Sequence, residues 1–187
     1  MKLLISTMLA MIAMPAAFGQ HQTFSVTPDA SEVRMKLNTT HEVVSGSFHV
    51  QSGSVDFDRS AHQISGMVIV AAGSGKTGND SRDKKMNKDV LKTDQFAFVS
   101  FAPKSYQGNI VSSGTSSIQV RGVFTLLGVA HDLTISMQIQ MDGQKTMVKA
   151  HFAVPYVDWG LKNPSFLFWK AENNVDIDLN LVGKTSK

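Results

Sequence analysis

Every second residue from Leu133 to Met141 is apolar: Leu133, Ile135, Met137, Ile139 and Met141 alternate with Thr134, Ser136, Gln138 and Gln140. A repeat of two places these sets on opposite faces of an extended strand, whereas a helix would scatter both around its axis. The segment is therefore read as a strand with one apolar and one wet face. The pattern recurs at Ile118, Val120, Gly122, Phe124 and Leu126, and at Val33, Met35 and Leu37 against Glu32, Arg34 and Lys36. It recurs again at Val148, Ala150, Phe152 and Val154, and at Val175, Ile177, Leu179 and Leu181. Further strands are predicted at 43–50, 54–58, 64–71 and 96–103, separated by Gly, Ser, Asn and Asp clusters that suit tight turns. Asp142-Gly143 marks a hairpin between two alternating runs. Roughly eight to ten strands in series predict an all-β, antiparallel fold, either a closed barrel or a sandwich. The 187 residues suit one domain with its own core.

Residues 80–94 break the alternation. They are rich in Lys, Asp and Met, with Asp80 or Ser81 placed as a cap and Met86, Val90 and Leu91 at helical spacing, so a short amphipathic helix is predicted. Inserted among strands, it could close one end of a barrel. A second long loop is predicted at 158–165, around Trp159-Gly160 and Asn163-Pro164.

The N-terminus carries Lys2, an apolar run over 3–14 and then Pro15-Ala16-Ala17-Phe18-Gly19, which reads as a secretory signal cut before Gln20. The expectation is a leader over 1–19, a domain over 20–187, and a periplasmic or secreted protein. No other segment approaches the roughly 20 apolar residues of a spanning helix. The absence of cysteine removes disulfides, thiolate metal sites and thiol nucleophiles together.

Charge points away from nucleic acid. Eighteen Lys and Arg against fifteen Asp and Glu leave a net charge of +3. The one basic concentration, Arg82, Lys84, Lys85 and Lys88, is interrupted by Asp80, Asp83 and Asp89, as on a solvated face. Gly73-Ser74-Gly75-Lys76-Thr77 ends like a phosphate-binding loop, but Val70 stands where that pattern needs its first glycine. The histidines, at 21, 41, 49, 62, 131 and 151, form no metal-ligand spacing, and His49 and His151 fall on wet parities. There is no Gly-x-Ser-x-Gly elbow, and Asp176 and Asp178 share a solvent face. No catalytic residue, metal or cofactor is expected.

What stands out is the bulk of the inward parity. Phe48, Phe57, Val68, Phe101, Phe124, Leu126, Ile135, Met137, Ile139, Phe152 and Leu179 all fall on it, as does Met141. In a sandwich these would be ordinary core. An eight-stranded barrel has an interior that is either just filled or able to hold one small ligand, and parity alone does not choose.

Several segments together resemble a known family. They are His-Glu-Val-Val-Ser-Gly-Ser-Phe at 41–48, Ser54-Val55-Asp56-Phe57-Asp58, and Gly78-Asn79-Asp80-Ser81-Arg82-Asp83 followed by Leu91, Phe96 and Phe101. They continue with Val-Arg-Gly-Val-Phe-Thr-Leu-Leu-Gly-Val at 120–129 and Val157-Asp158-Trp159-Gly160-Leu161. In order and spacing the chain is similar to the YceI-like family of bacterial lipid-binding proteins over residues 24–182. It departs where Phe124-Thr125-Leu126-Leu127 stands for a frequent Leu-Thr-Ile, Trp159 for a usual Phe, and Ala130-His131-Asp132 for a common Thr-Lys-Pro.

The resemblance implies an antiparallel eight-stranded lipocalin-like barrel with one short helix near Arg82-Asp83, export to the periplasm, and a polyisoprenoid or other long apolar lipid held inside. It turns the choice between core and cavity towards cavity, with the eleven residues from Phe48 to Leu179 named above lining it. Arg82, His131, Tyr156 and Trp159 lie in predicted loops or strand ends and are the expected head-group contacts. Family members are often dimers, so a homodimer is implied as well. A carrier without catalysis is expected; the competing readings are a small barrel enzyme acting on such a lipid and a fully packed structural or stress module.

Overall fold

The computed structural model describes residues 21–165 and 168–187, so the leader-like segment and its cut site lie outside the described residues. Ten strands form one antiparallel sheet: β1 His21–Val26, β2 Glu32–Asn38, β3 Val43–Phe48, β4 Val50–Asp58, β5 Gln63–Ala71, β6 Phe98–Gln107, β7 Gly114–Leu126, β8 Val129–Asp142, β9 Lys145–Val154 and β10 Val175–Ser186. The sheet closes because β10 pairs with β9 along one side and with both β1 and β2 along the other. β1 and β2 are two halves of one stave, and β3 and β4 two halves of the next, so the ten segments build a closed eight-stranded barrel. Closure leaves no long unpaired edge.

The first break follows from Pro28, which lacks the N–H a ladder needs and begins the short turn Pro28–Ala30. The ladder is carried across it. Thr27 N–H donates to the Val182 carbonyl at 2.8 Å, and the Ser31 hydroxyl meets the same carbonyl at 3.2 Å. The second break divides the strand predicted over 43–50 at His49, and β4 starts four residues before the predicted 54. β1 has no counterpart among the predicted strands, because with Phe24 and Val26 alone it is too short to show alternation. Asp142-Gly143 does form the β8–β9 hairpin, with Gly143 at φ 57°.

β6 begins at Phe98 rather than 96 and accommodates Pro103 at a register shift before Ser105. The shift turns Tyr106 inward, where its hydroxyl donates to the Asp58 carbonyl at 2.9 Å. Opposite Pro103, a Cβ on Gly122 would sit 2.6 Å from the ring of Phe101, so glycine here lets that ring lie flat inside the wall.

The predicted helix over 80–94 is divided. Helix α1, Asp80–Lys85, runs straight into a π-helical turn at Met86–Val90, and the cap is Asn79 rather than Asp80 or Ser81. The Asn79 side-chain oxygen accepts from Arg82 N–H at 3.0 Å.

Candidate functional site

Two apolar clusters close the barrel to different degrees. One forms a floor, in which Phe57, Tyr106, Ile110 and Met141 are buried beneath the β4–β5 and β8–β9 turns. The other, Leu126, Val154, Tyr156 and Leu161, lies near the opposite end, where α1 and the long β9–β10 connection sit. Between them is a cavity of about 770 Å³, within the range of sites that enclose small apolar ligands.

Side-chain exposure shows directly that the interior is hollow. Phe48, Val68, Phe101, Phe124, Met137, Phe152 and Leu179 point into the barrel and line the cavity, yet each is only half-buried. In a core packed to ordinary density they would be fully buried. Leu126, Ile135 and Ile139 also line the cavity and are buried against the wall. Phe57, expected among them, does not reach the cavity. It belongs to the floor, at 6% exposure with the Arg59 guanidinium 5.9 Å from its ring, because parity gives the face of a strand and not the height along the barrel.

Of the four expected head-group contacts, Arg82 and Tyr156 line the cavity, and His131 and Trp159 do not. The latter two stack on each other, with centroids 4.2 Å apart and planes within 4°. Trp159 lies 5.6 Å from the ring of Phe124 and so supports a cavity wall from behind. The Tyr156 hydroxyl donates to the Glu172 carbonyl at 2.7 Å, and burial raises its pKa, so it stays a neutral donor.

Sequence reasoning missed part of the lining. Met35, Leu37 and Val44 bring in the β2–β3 wall, and their alternation was visible but not followed inward. Met86, Val90 and Leu91, read as the apolar face of a helix, cover the cavity from above. Trp169, Lys170 and Leu161 come from the β9–β10 connection, where no periodicity announces them.

The mouth is a polar frame. Each nitrogen of the Arg82 guanidinium makes one hydrogen bond: Nε donates to Thr77 Oγ1 at 2.9 Å, one terminal nitrogen to the Thr77 carbonyl at 3.1 Å, and the other to Glu42 Oε1 at 2.9 Å. Asp83 is buried and accepts from Thr77 N–H at 2.9 Å and Thr77 Oγ1 at 2.6 Å. Lys76 and Ser47 exchange both backbone hydrogen bonds, at 2.9 and 3.0 Å. The glycine-rich segment that resembled a phosphate loop thus serves as a rung beside β3, with Thr77 committed to Asp83 and Arg82. Asp83 pins α1 to the wall.

The Thr77 hydroxyl and amide, then Lys76 and Arg82, hold the Asp83 carboxyl below the usual carboxylate range. Ser60 and Ala61 lower Asp58 in the same way, and Lys36 and His151 lower Asp178. A depressed pKa means that the unfolded chain takes up protons first, so the stability these groups contribute is complete above about pH 4 and is lost as pH falls through the folded values. Thermal unfolding followed by circular dichroism should show a melting temperature that is level from neutrality towards pH 5 and declines below about 4. Asp83→Asn should have a lower plateau and a shallower decline, and an unchanged acid limb in that variant would contradict the assignment.

Fold and cavity together define the class: a closed antiparallel barrel with a hollow apolar interior, capped at one end by a helix, in the lipocalin-like manner. The chain matches the YceI-like domain model over residues 24–183 and belongs to that family. Among solved structures it is similar to BcnA of Burkholderia cenocepacia, with TM-score 0.68 and 16% identity over 84% of this chain and 99% of that one. It is also similar to a polyisoprenoid-binding domain from Saccharophagus degradans implicated in plant cell wall breakdown, with TM-score 0.67 and 14% identity over 87% and 98% of the two chains. A YceI protein of Campylobacter jejuni matches at TM-score 0.60 and 19% identity, over 77% of this chain and 86% of that one. These likenesses establish the fold. A comparison with curated proteins yields no match.

Proposed function

We propose that this protein binds a long apolar lipid, a polyisoprenoid, isoprenoid quinone or fatty-acid derivative, inside the barrel and carries or sequesters it without chemical change. The observation that carries this reading is the cavity itself, about 770 Å³ enclosed by aliphatic and aromatic side chains. Burial returns about 0.8 kcal/mol per methylene, whereas association costs roughly 4–15 kcal/mol. A short chain therefore barely binds, and a chain of some twenty carbons binds well. Family membership and the polyisoprenoid-binding domain of Saccharophagus degradans favour the same ligand class.

Export rests on the leader-like sequence over 1–19. Among the described residues, no helix is long and apolar enough to cross a membrane. Native mass spectrometry of the chain from Gln20 onward tests the proposal: a co-purifying lipid mass, removed by organic extraction and restored by adding a long isoprenoid, is expected. A single ligand-free mass together with no uptake after extraction would favour the packed module.

A further inference from the structure

The exposed apolar side chains are not spread evenly. Among the described residues, seven large hydrophobic side chains are exposed, and five of them, Val43, Phe98, Val129, Phe168 and Trp169, lie at strand starts or in the connection at the helix-bearing end. Met67 and Val111 are the two elsewhere. Phe168 is 85% exposed, and Trp169 is 45% exposed while also lining the cavity. Phe168 and Trp169 are adjacent in the β9–β10 connection, and two exposed aromatic side chains in succession are an unusual concentration for a surface segment.

Residues 168–170 are held in place at the mouth. Thr40 N–H donates to the Lys170 carbonyl at 2.9 Å, the Thr40 hydroxyl donates to the Phe168 carbonyl at 3.2 Å, and His41 packs against Trp169 with centroids 5.1 Å apart. The same turn, through Glu42, holds Arg82 of α1, so the aromatic segment and the helix share one support. Among the described residues, the charged side chains that line the cavity are Arg82, Lys85 and Lys170, all cations, of which Arg82 is ion-paired with Glu42.

We propose that this end of the barrel docks on the surface of an anionic phospholipid bilayer, with Phe168 and Trp169 entering the headgroup layer and the mouth facing the membrane. Aromatic side chains beside lysines are the combination that an interface between headgroups and acyl chains accommodates, and the cations suit anionic headgroups. Placing the mouth against a bilayer would let an apolar chain enter the cavity without crossing water. The docking goes beyond the cavity reading and borrows from it only the nature of the cargo.

The test is flotation of the chain from Gln20 onward, which keeps the whole barrel and omits the leader-like run, with vesicles of phosphatidylcholine alone or mixed with phosphatidylglycerol. Binding is expected to the mixed vesicles, to weaken with added salt, and to fall about tenfold or more in Phe168→Glu. Phe168 lies outside the cavity lining, so uptake of a soluble fluorescent polyene should be unchanged in that variant. Docking is overturned if wild type floats with neither vesicle, or if Phe168→Glu floats as well as wild type. It is equally overturned if sedimentation shows a dimer that Phe168→Glu dissolves while vesicles are ignored, since a second copy would then be the occupant. Loss of polyene uptake by wild type alongside intact flotation would instead count against the cavity reading alone.

Discussion

Met137→Gln is expected to weaken uptake of a long isoprenoid roughly 5- to 150-fold, while Gln138→Ala, one residue along on the wet face, leaves it unchanged. Met137 lines the cavity and is half-buried, so an amide placed there can remain hydrated in the empty barrel. A bound chain would strip that water without replacing its hydrogen bonds, at a cost of about 1–3 kcal/mol. Gln138 projects outward, and its loss changes nothing the ligand meets. Titration of a fluorescent polyene into both variants and the delipidated wild type reads the difference. Equal weakening in the two variants, or no saturable binding by wild type, would sink the cavity reading.

A second large effect separates floor from wall. Phe57→Ala is expected to cost about 3–5 kcal/mol of stability, because its ring is packed on all sides and the β4–β5 and β8–β9 ends cannot collapse to refill the space. Phe152→Ala should cost no more than ~2 kcal/mol, since its ring already faces open volume and its removal enlarges a cavity instead of creating one. Urea titration would register this as a much larger fall in midpoint for Phe57→Ala at similar slopes. Similar losses in the two variants would mean that the interior is packed throughout.

Legibility in the sequence varied from element to element. β7 and β8 were readable residue by residue over 118–126 and 133–141, where every inward position is apolar or glycine; the strands extend further, and the added positions of the same parity include the polar Ser116 and His131. β1 was invisible, and the division of 43–50 at His49 could not be foreseen, because the division arises from pairing with β2 and β5 rather than from His49 itself. Parity places Phe101, Phe124 and Met137 on the inward face, and in the structure they line the cavity. Phe57 shares the inward parity but lies below the cavity, while His131, in β8, and Trp159, in the β9–β10 connection, stack on each other outside it.

The sequence by itself determined which side of each long strand faces inward, because the pleat makes that a local property with a period of two. It also determined that the chain leaves the sheet over 80–94, where the alternation stops. Only the tertiary structure decided that the barrel is hollow. Enclosed volume depends on how many staves close and on how far side chains from opposite walls fall short of meeting, and those walls are distant in sequence. It likewise decided that the 39–42 turn, α1 and the aromatic segment around Trp169 share one mouth. No local pattern records that meeting, which comes about when β10 closes against β1 and β2.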